Sequence, residues 1–305
     1  MSLTPEHAAR LRNWRVPRMS QDYTARDAAL YALTIGFGDD PLDRDELRYV
    51  DHTLGNFRVA PSFALILGYP GFWLGDPATG IEIGRILHIE QSVEILTPLA
   101  PAGRVTGETS VTDLLDLGAG KGAVLRSRRD IRDADDRLIA VVRQSHMLLG
   151  YGGFGGERPA KSAAEKLGQP AWTVKTKALP QQALLYRLNG DLNPIHADPD
   201  LAAISGFEKP ILHGMCSFGM TCRAILRSLC AYEPARLRFI SARMTAPVFP
   251  GETLRHDIHP GGFFTATVVE RDKVALDHGS AVILNDRSER TLLPQPLPTS
   301  QRKEA

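Results

Sequence analysis

Apolar residues recur near helical spacing over one long stretch, from Leu212 to Ala231. Met215, Phe218, Cys222, Ile225, Leu226 and Leu229 fall on one stripe there. The pattern predicts a helix, with Gly214 and Gly219 letting it lie close against a neighbouring sheet. In the first half, Pro61 to Leu67 (PSFALIL) is a shorter counterpart. Most of the remaining pattern alternates with period two. It predicts strands over 86–96, 104–113, 122–131 and 138–149, and again over 236–248, 253–259, 262–271 and 274–284. Turn signals such as Pro260-Gly261-Gly262 separate them. One apolar helix followed by antiparallel strands, twice over, predicts an α+β fold in which a sheet wraps a central helix.

The two halves echo each other. T-P-L-A-P-A-G at 97–103 matches T-A-P-V-F-P-G at 245–251, and Ala29-Leu30-Tyr31-Ala32-Leu33 matches Leu184-Leu185-Tyr186-Arg187-Leu188, in the same order and about half a chain apart. Duplication of a domain is the expected origin. The expected boundaries are a first domain at 1–155, a linker at 156–171 inside a Gly-, Ser- and Pro-rich stretch, a second domain at 172–297, and a disordered tail at 298–305. The echo fails where the polar residues gather. After Leu188 comes N-G-D-L-N-P-I-H; after Leu33 comes T-I-G-F-G-D-D-P, with no following histidine.

Composition narrows the function classes. The 305 residues are 43% hydrophobic and 23% charged, which suits two soluble domains. With 36 Lys+Arg against 35 Asp+Glu, net charge gives no reason to expect a nucleic-acid partner. No apolar run of about 18 residues is present, so no transmembrane helix is expected. The N-terminal stretch lacks the apolar core of a secretory signal. A cytoplasmic enzyme is expected, with peroxisomal or mitochondrial placement left open for a eukaryotic source. Cys216, Cys222 and Cys230 all fall in the predicted helix and read as buried thiols; a nucleophilic role for Cys216 near His213 is the alternative. Neither a metal nor a cofactor is expected. G-A-G-K-G at 118–122 lacks the Ser/Thr of a phosphate loop and reads as a turn. Asp191, Asn193, Asp198 and Asp200 lack the glycine and glutamate of a calcium loop.

The chemistry concentrates between Tyr186 and Gly214. D-L-N-P-I-H places Asp191, Asn193 and His196 within six residues, on a loop that Gly190 allows to turn and Pro194 stiffens. A carboxylate and an imidazole side by side can hold one water for proton transfer. Gly214 then opens the predicted helix, where a free N–H can stabilise a negative oxygen. His213 has two readings, as a substrate-orienting cap of that helix or as a hydrogen-bonded core residue. His88, from its own pattern, is a half-buried strand histidine.

The segments G-D-L-N-P-I-H-A-D-P and G-F-E-K-P-I-L-H-G-M-C resemble the hydratase 2 motif of the MaoC-like dehydratases. The likeness spans roughly residues 20–285 and includes R-D-A-A-L-Y-A-L, H-I-E-Q-S and A-P-V-F-P-G-E-T-L. It implies a double hot-dog fold and reversible hydration of trans-2-enoyl-CoA to (3R)-3-hydroxyacyl-CoA. It places the family's catalytic residues on Asp191, Asn193 and His196, and its oxyanion glycine on Gly214. Substrate contacts fall on His88, on Ile89 where the family has glycine, and on Met244 where it has an aromatic residue. A family lysine falls on Leu117, with Lys121 as its expected substitute at a phosphate. The first domain is then a degenerate copy that houses the acyl chain, and the expected partner is an acyl-CoA thioester, with a homodimer open. Three other functions stand beside this one: a hot-dog thioesterase, a dehydratase of carrier-protein substrates, and a non-catalytic acyl-CoA-binding subunit.

Overall fold

The computed structural model describes residues 2–156 and 167–284. Most of the 156–171 linker and all of the 298–305 tail lie outside them. The first half contains helices α1 (Pro5–Arg12), α2 (Ala25–Thr34) and α3 (Arg44–Val50). Its strands are β1 (Met19–Tyr23), β2 (Ile86–Ile95), β3 (Gly103–Asp116), β4 (Gly122–Arg132) and β5 (Leu138–Leu149). The second half has β6 (Trp172–Lys177), then α4 (Gln182–Arg187), α5 (Pro199–Ile204) and α6 (Gly214–Leu229). It ends in β7 (Leu237–Met244), β8 (Thr253–Ile258), β9 (Phe263–Val268) and β10 (Lys273–Ile283).

All ten strands join one antiparallel sheet in the order β1-β3-β4-β5-β2-β7-β10-β9-β8-β6. Read from either end the pattern is the same, first strand, third, fourth, fifth, second, so each half is one copy of a five-stranded unit. The copies meet where β2 pairs with β7, from Glu90 opposite Arg243 to Glu94 opposite Phe239. This is the double hot-dog arrangement, with the two sheets fused edge to edge.

Helix α6 fills the second copy. Every residue from Met215 to Leu226 is buried. A helix buried on all sides needs partners all round, and here the sheet encloses one side and the first half the other, with Arg223 as the charged exception. Gly219 is required by the first half: a β-carbon there would lie 2.5 Å from Ile35 Cγ2, so the close approach is to the end of α2 and not to the sheet. In the first copy the place of α6 is taken by a 3₁₀ turn, Pro61–Leu65, all five residues of which are buried. Gly68, at φ +56°, follows it, and a β-carbon on Gly68 would sit 2.6 Å from the Gly107 backbone.

The echoed segments are α2 and α4, and their equivalent tyrosines face each other: the Tyr31 and Tyr186 rings are 6.1 Å apart. Gln182 Nε2 donates to Thr34 O at 2.6 Å, and Asn189 Nδ2 to Thr34 Oγ1 at 2.8 Å, so α4 braces the end of α2. A buried ion pair adds a second brace: Arg223 of α6 donates through Nε and Nη2 to both Glu46 carboxylate oxygens of α3, each at 2.8 Å.

Three local expectations change. Strand β7 stops at Met244, short of 248, because the chain turns through Pro247 and Pro250. Strands β1 and β6, absent from the periodicity, form the two sheet edges. The start of the Gly-rich stretch is not a free linker: the Asp116 carboxylate accepts from the N–H groups of Gly118, Gly153 and Gly155 at 2.6–2.8 Å.

Candidate active site

The loop after α4 is shaped by its own side chains. Gly190 takes φ +101°, which a side chain would resist. Asp191 Oδ1 accepts from Asn193 N and Asn193 Oδ1 from Ile195 N, both at 3.2 Å. These two Asx turns lead into a 3₁₀ turn, Pro194–His196. Asp198 caps α5 by accepting from Asp200 N and Leu201 N, which explains the acidic spacing without calcium.

Asp191 and His196 are both buried, 9% and 8% exposed, at the wall of one cavity of about 370 Å³. His196 Nδ1–H donates to Ile211 O at 2.9 Å. That bond fixes the tautomer and leaves Nε2 with its lone pair. Burial holds the His196 pKa below its ordinary value, opposed in part by the nearby Asp191 carboxylate. The ring is therefore neutral at pH 7, as a base must be.

His213 lies behind this pair. Its ring stacks on His196 with centroids 3.7 Å apart, and its Nε2–H donates to the Asp191 main-chain oxygen at 3.3 Å. It is fully buried and does not line the cavity, so the core reading describes its position. Burial lowers its pKa to about 2. Asp191, His196 and His213 each bring a ligand-type atom within 4.8 Å of the others. Two rings stacked at 3.7 Å and inclined by 28° do not direct in-plane lone pairs to one point, so the trio is a poor metal site.

Gly214 starts α6 at this wall, its N–H without an acceptor among the described residues, as expected at a helix start. Met244 covers it: a β-carbon on Gly214 would lie 2.6 Å from Met244 Sδ. The opposite wall comes from the first copy. His88 lines the cavity, donates through Nε2–H to Glu90 O at 2.9 Å, and stacks on His146 at 4.9 Å. Burial lowers His88 to about 4 and His146 further. Ile89 is the extra residue of a β-bulge, since His88 pairs with His146 and Glu90 with Ser145. The bulge turns Ile89 to the cavity as well.

The structure thus gathers Asp191, Asn193, His196, Gly214, His88, Ile89 and Met244 around one space. Lys121 is elsewhere, on the exposed turn between β3 and β4. Cys216 is fully buried, its thiol donating to Thr34 O at 3.3 Å and held well above its ordinary pKa by burial, so it is not a nucleophile. Sequence reasoning missed Tyr69, Phe72, Trp73 and His146, which also line the cavity. An open groove of about 570 Å³ runs along β6 beside Arg227 and holds no acid–base pair.

A fused pair of hot-dog units with one carboxylate–imidazole loop facing a helix start defines a MaoC-like dehydratase. Residues 21–150 match the MFE-2 hydratase 2 N-terminal domain and residues 160–277 the MaoC like domain. The chain is 38% identical over 256 residues to the enoyl-CoA hydratase ChsH3 of Mycobacterium tuberculosis, covering 81% of this chain and 87% of that one. It is 34% identical to the peroxisomal enoyl-CoA hydratase 2 of Arabidopsis thaliana, covering 86% and 91%. The crystal structure of a MaoC-like dehydratase from Phytophthora capsici superposes with a TM-score of 0.81 at 31% identity, over 94% of this chain and 100% of that one. The chain belongs to the MaoC-like dehydratase family, in its two-domain hydratase 2 form.

Proposed function

We propose that this enzyme is a hydro-lyase that reversibly hydrates trans-2-enoyl-CoA thioesters to (3R)-3-hydroxyacyl-CoA. The observation that carries this is the pairing of two acceptors, the Asp191 carboxylate and His196 Nε2, beside the free N–H of Gly214 in one cavity. One water can donate a hydrogen to each acceptor, which turns its oxygen lone pair towards C3 of the substrate. As the O–C3 bond forms, the C2–C3 π electrons move towards C2 and the thioester oxygen. The enolate collapses by taking a proton at C2. One proton leaves the water and one reaches C2, so the pair ends each turnover with the protons it began with. Gly214 N–H, at the positive end of α6, stabilises the enolate oxygen, worth about 3–4 kcal/mol for one donor. Asn193 orients the loop through its turn to Ile195. Relatives named enoyl-CoA hydratase support the acyl-CoA substrate. The chain is already a pseudo-dimer; further pairing into a homodimer is part of this reading, and light scattering separates the two states.

The test is crotonyl-CoA and longer trans-2-enoyl-CoAs with chiral resolution of the product. An (R)-3-hydroxyacyl-CoA made by the wild type, with kcat down by about 10²-fold or more in Asp191→Asn and His196→Gln, supports the reading. Release of free thiol without hydration would replace it with a thioesterase.

A further inference from the structure

The half that lacks the D-x-N-P-x-H loop also contributes a polar atom to the reaction chamber. Tyr69 lines the same cavity as Asp191 and Gly214. Its hydroxyl has no hydrogen-bond partner among the described residues and is not sealed from solvent. The backbone that carries it is fixed by the contact of Gly68 with Gly107 and by Gly68 N–H donating to Gln21 Oε1 at 2.7 Å.

A buried cation lies against its ring. Arg129 is 4% exposed, and its Cζ is 5.2 Å from the Tyr69 ring centroid. Its Nη2 donates to Ala64 O and Leu65 O at 3.3 and 2.5 Å. Burial lowers its pKa to about 10, which leaves it charged at pH 7. No carboxylate pairs with it among the described residues. A cation buried without a counter-ion is costly, and here it sits against the ring of a residue that lines the cavity.

Hydration needs donors for the thioester oxygen, and Asp191 and His196 are already committed as acceptors to the water. Gly214 supplies one donor; an enolate oxygen accepts more than one. Burial, and then the Asp191 charge, push the Tyr69 phenol well above its ordinary pKa, so it remains protonated and able to donate. The Arg129 charge partly offsets burial by stabilising the phenolate, which makes the O–H more acidic and so a stronger donor.

We propose that Tyr69 is a further catalytic residue of the hydration read above, its phenolic O–H donating to the thioester oxygen alongside Gly214 N–H, with Arg129 as the positioning residue beneath it. The degenerate copy then takes part in the chemistry and does not only house the acyl chain.

Tyr69→Phe keeps the ring and its contact with Arg129, so an unchanged melting temperature is expected. With crotonyl-CoA, kcat should fall by about 100-fold, the loss typical of one oxyanion donor, with KM within a few fold of wild type. Acetoacetyl-CoA at saturation gives a readout independent of turnover. A donor on the thioester oxygen stabilises its enolate, so the near-ultraviolet enolate absorbance at a given pH should be clearly lower in Tyr69→Phe. Arg129→Lys should keep the signal that Arg129→Gln loses. Wild-type kcat, or an unchanged enolate fraction, in Tyr69→Phe would overturn the proposal while leaving hydration in place. A wild type that never hydrates crotonyl-CoA refutes the parent reading instead.

Discussion

Met244 Sδ occupies the space that a β-carbon on Gly214 would need, at 2.6 Å. The first residue of α6 is therefore glycine for steric reasons; the N–H donor is one that any residue but proline would supply. Gly214→Ala should cost about 1–3 kcal/mol through overpacking, and Gly214→Pro would confound that strain with loss of the N–H. Adding Met244→Ala to each separates the two effects. Proline is tolerated at a helix start, so both double variants should fold. Only Gly214→Pro/Met244→Ala should lose kcat, by about 10²–10³-fold relative to Gly214→Ala/Met244→Ala. Equal kcat in the two would remove Gly214 N–H from the mechanism.

In the proposed mechanism His196 must be neutral, which sets an acid limb. Its folded pKa is depressed, so kcat/KM should be level through neutral pH and fall only below the ordinary histidine value of 6.5. The Asp191 charge raises that pKa, so Asp191→Asn should move His196 titration to still lower pH. Imidazole ¹⁵N shifts report this even in an inactive variant. A limb above pH 7 would contradict the tautomer and burial described here.

Stability should also fall in acid. His88, His256 and His213 are held neutral by burial, at about 4, 3 and 2. The unfolded chain takes up their protons near 6.5, the folded chain only far lower. Their contribution is thus fully present above 6.5 and is lost as pH falls from there towards the folded values, by up to ~1.4 kcal/mol per pH unit for each. Denaturant melts between pH 7 and 4.5 should show stability falling steeply; a flat profile would refute it.

Glu46 and Arg223 should behave as a buried pair. Glu46 is 1% exposed and Arg223 is 8% exposed in side-chain terms. Glu46→Gln leaves Arg223 charged in the interior and should cost about 3–5 kcal/mol, whereas Glu46→Leu with Arg223→Met should recover much of it. A double-mutant cycle on thermal unfolding measures the coupling; additive losses would deny it.

Period-two alternation located eight of the ten strands, and helical spacing located α6, because these elements bury one face or all faces against partners along their whole length. The edge strands were illegible for the same reason. Met19–Tyr23 (MSQDY) pairs on one side only, with Gly103–Gly107, and carries three polar residues in five. The D-x-N-P-x-H loop was readable because its side chains make their own turns within five residues. Tyr69, Phe72 and Trp73 were not. They sit among short turns between Pro61 and Arg85, where no period exists, and only the folded chain carries them across to Asp191. His146 looked like any strand residue until its stacking on His88 was visible.

The pairing of β2 with β7 makes the two copies one mechanical body with a shared reaction chamber. One acid–base loop serves the whole chamber, and the copy without that loop is still needed to enclose it. Removing it would strip one wall from the chamber, expose β7 as a raw edge and leave α6 bare along one side. The fused sheet thus acts as a mechanical tie: neither half can be removed without opening the chamber that both enclose.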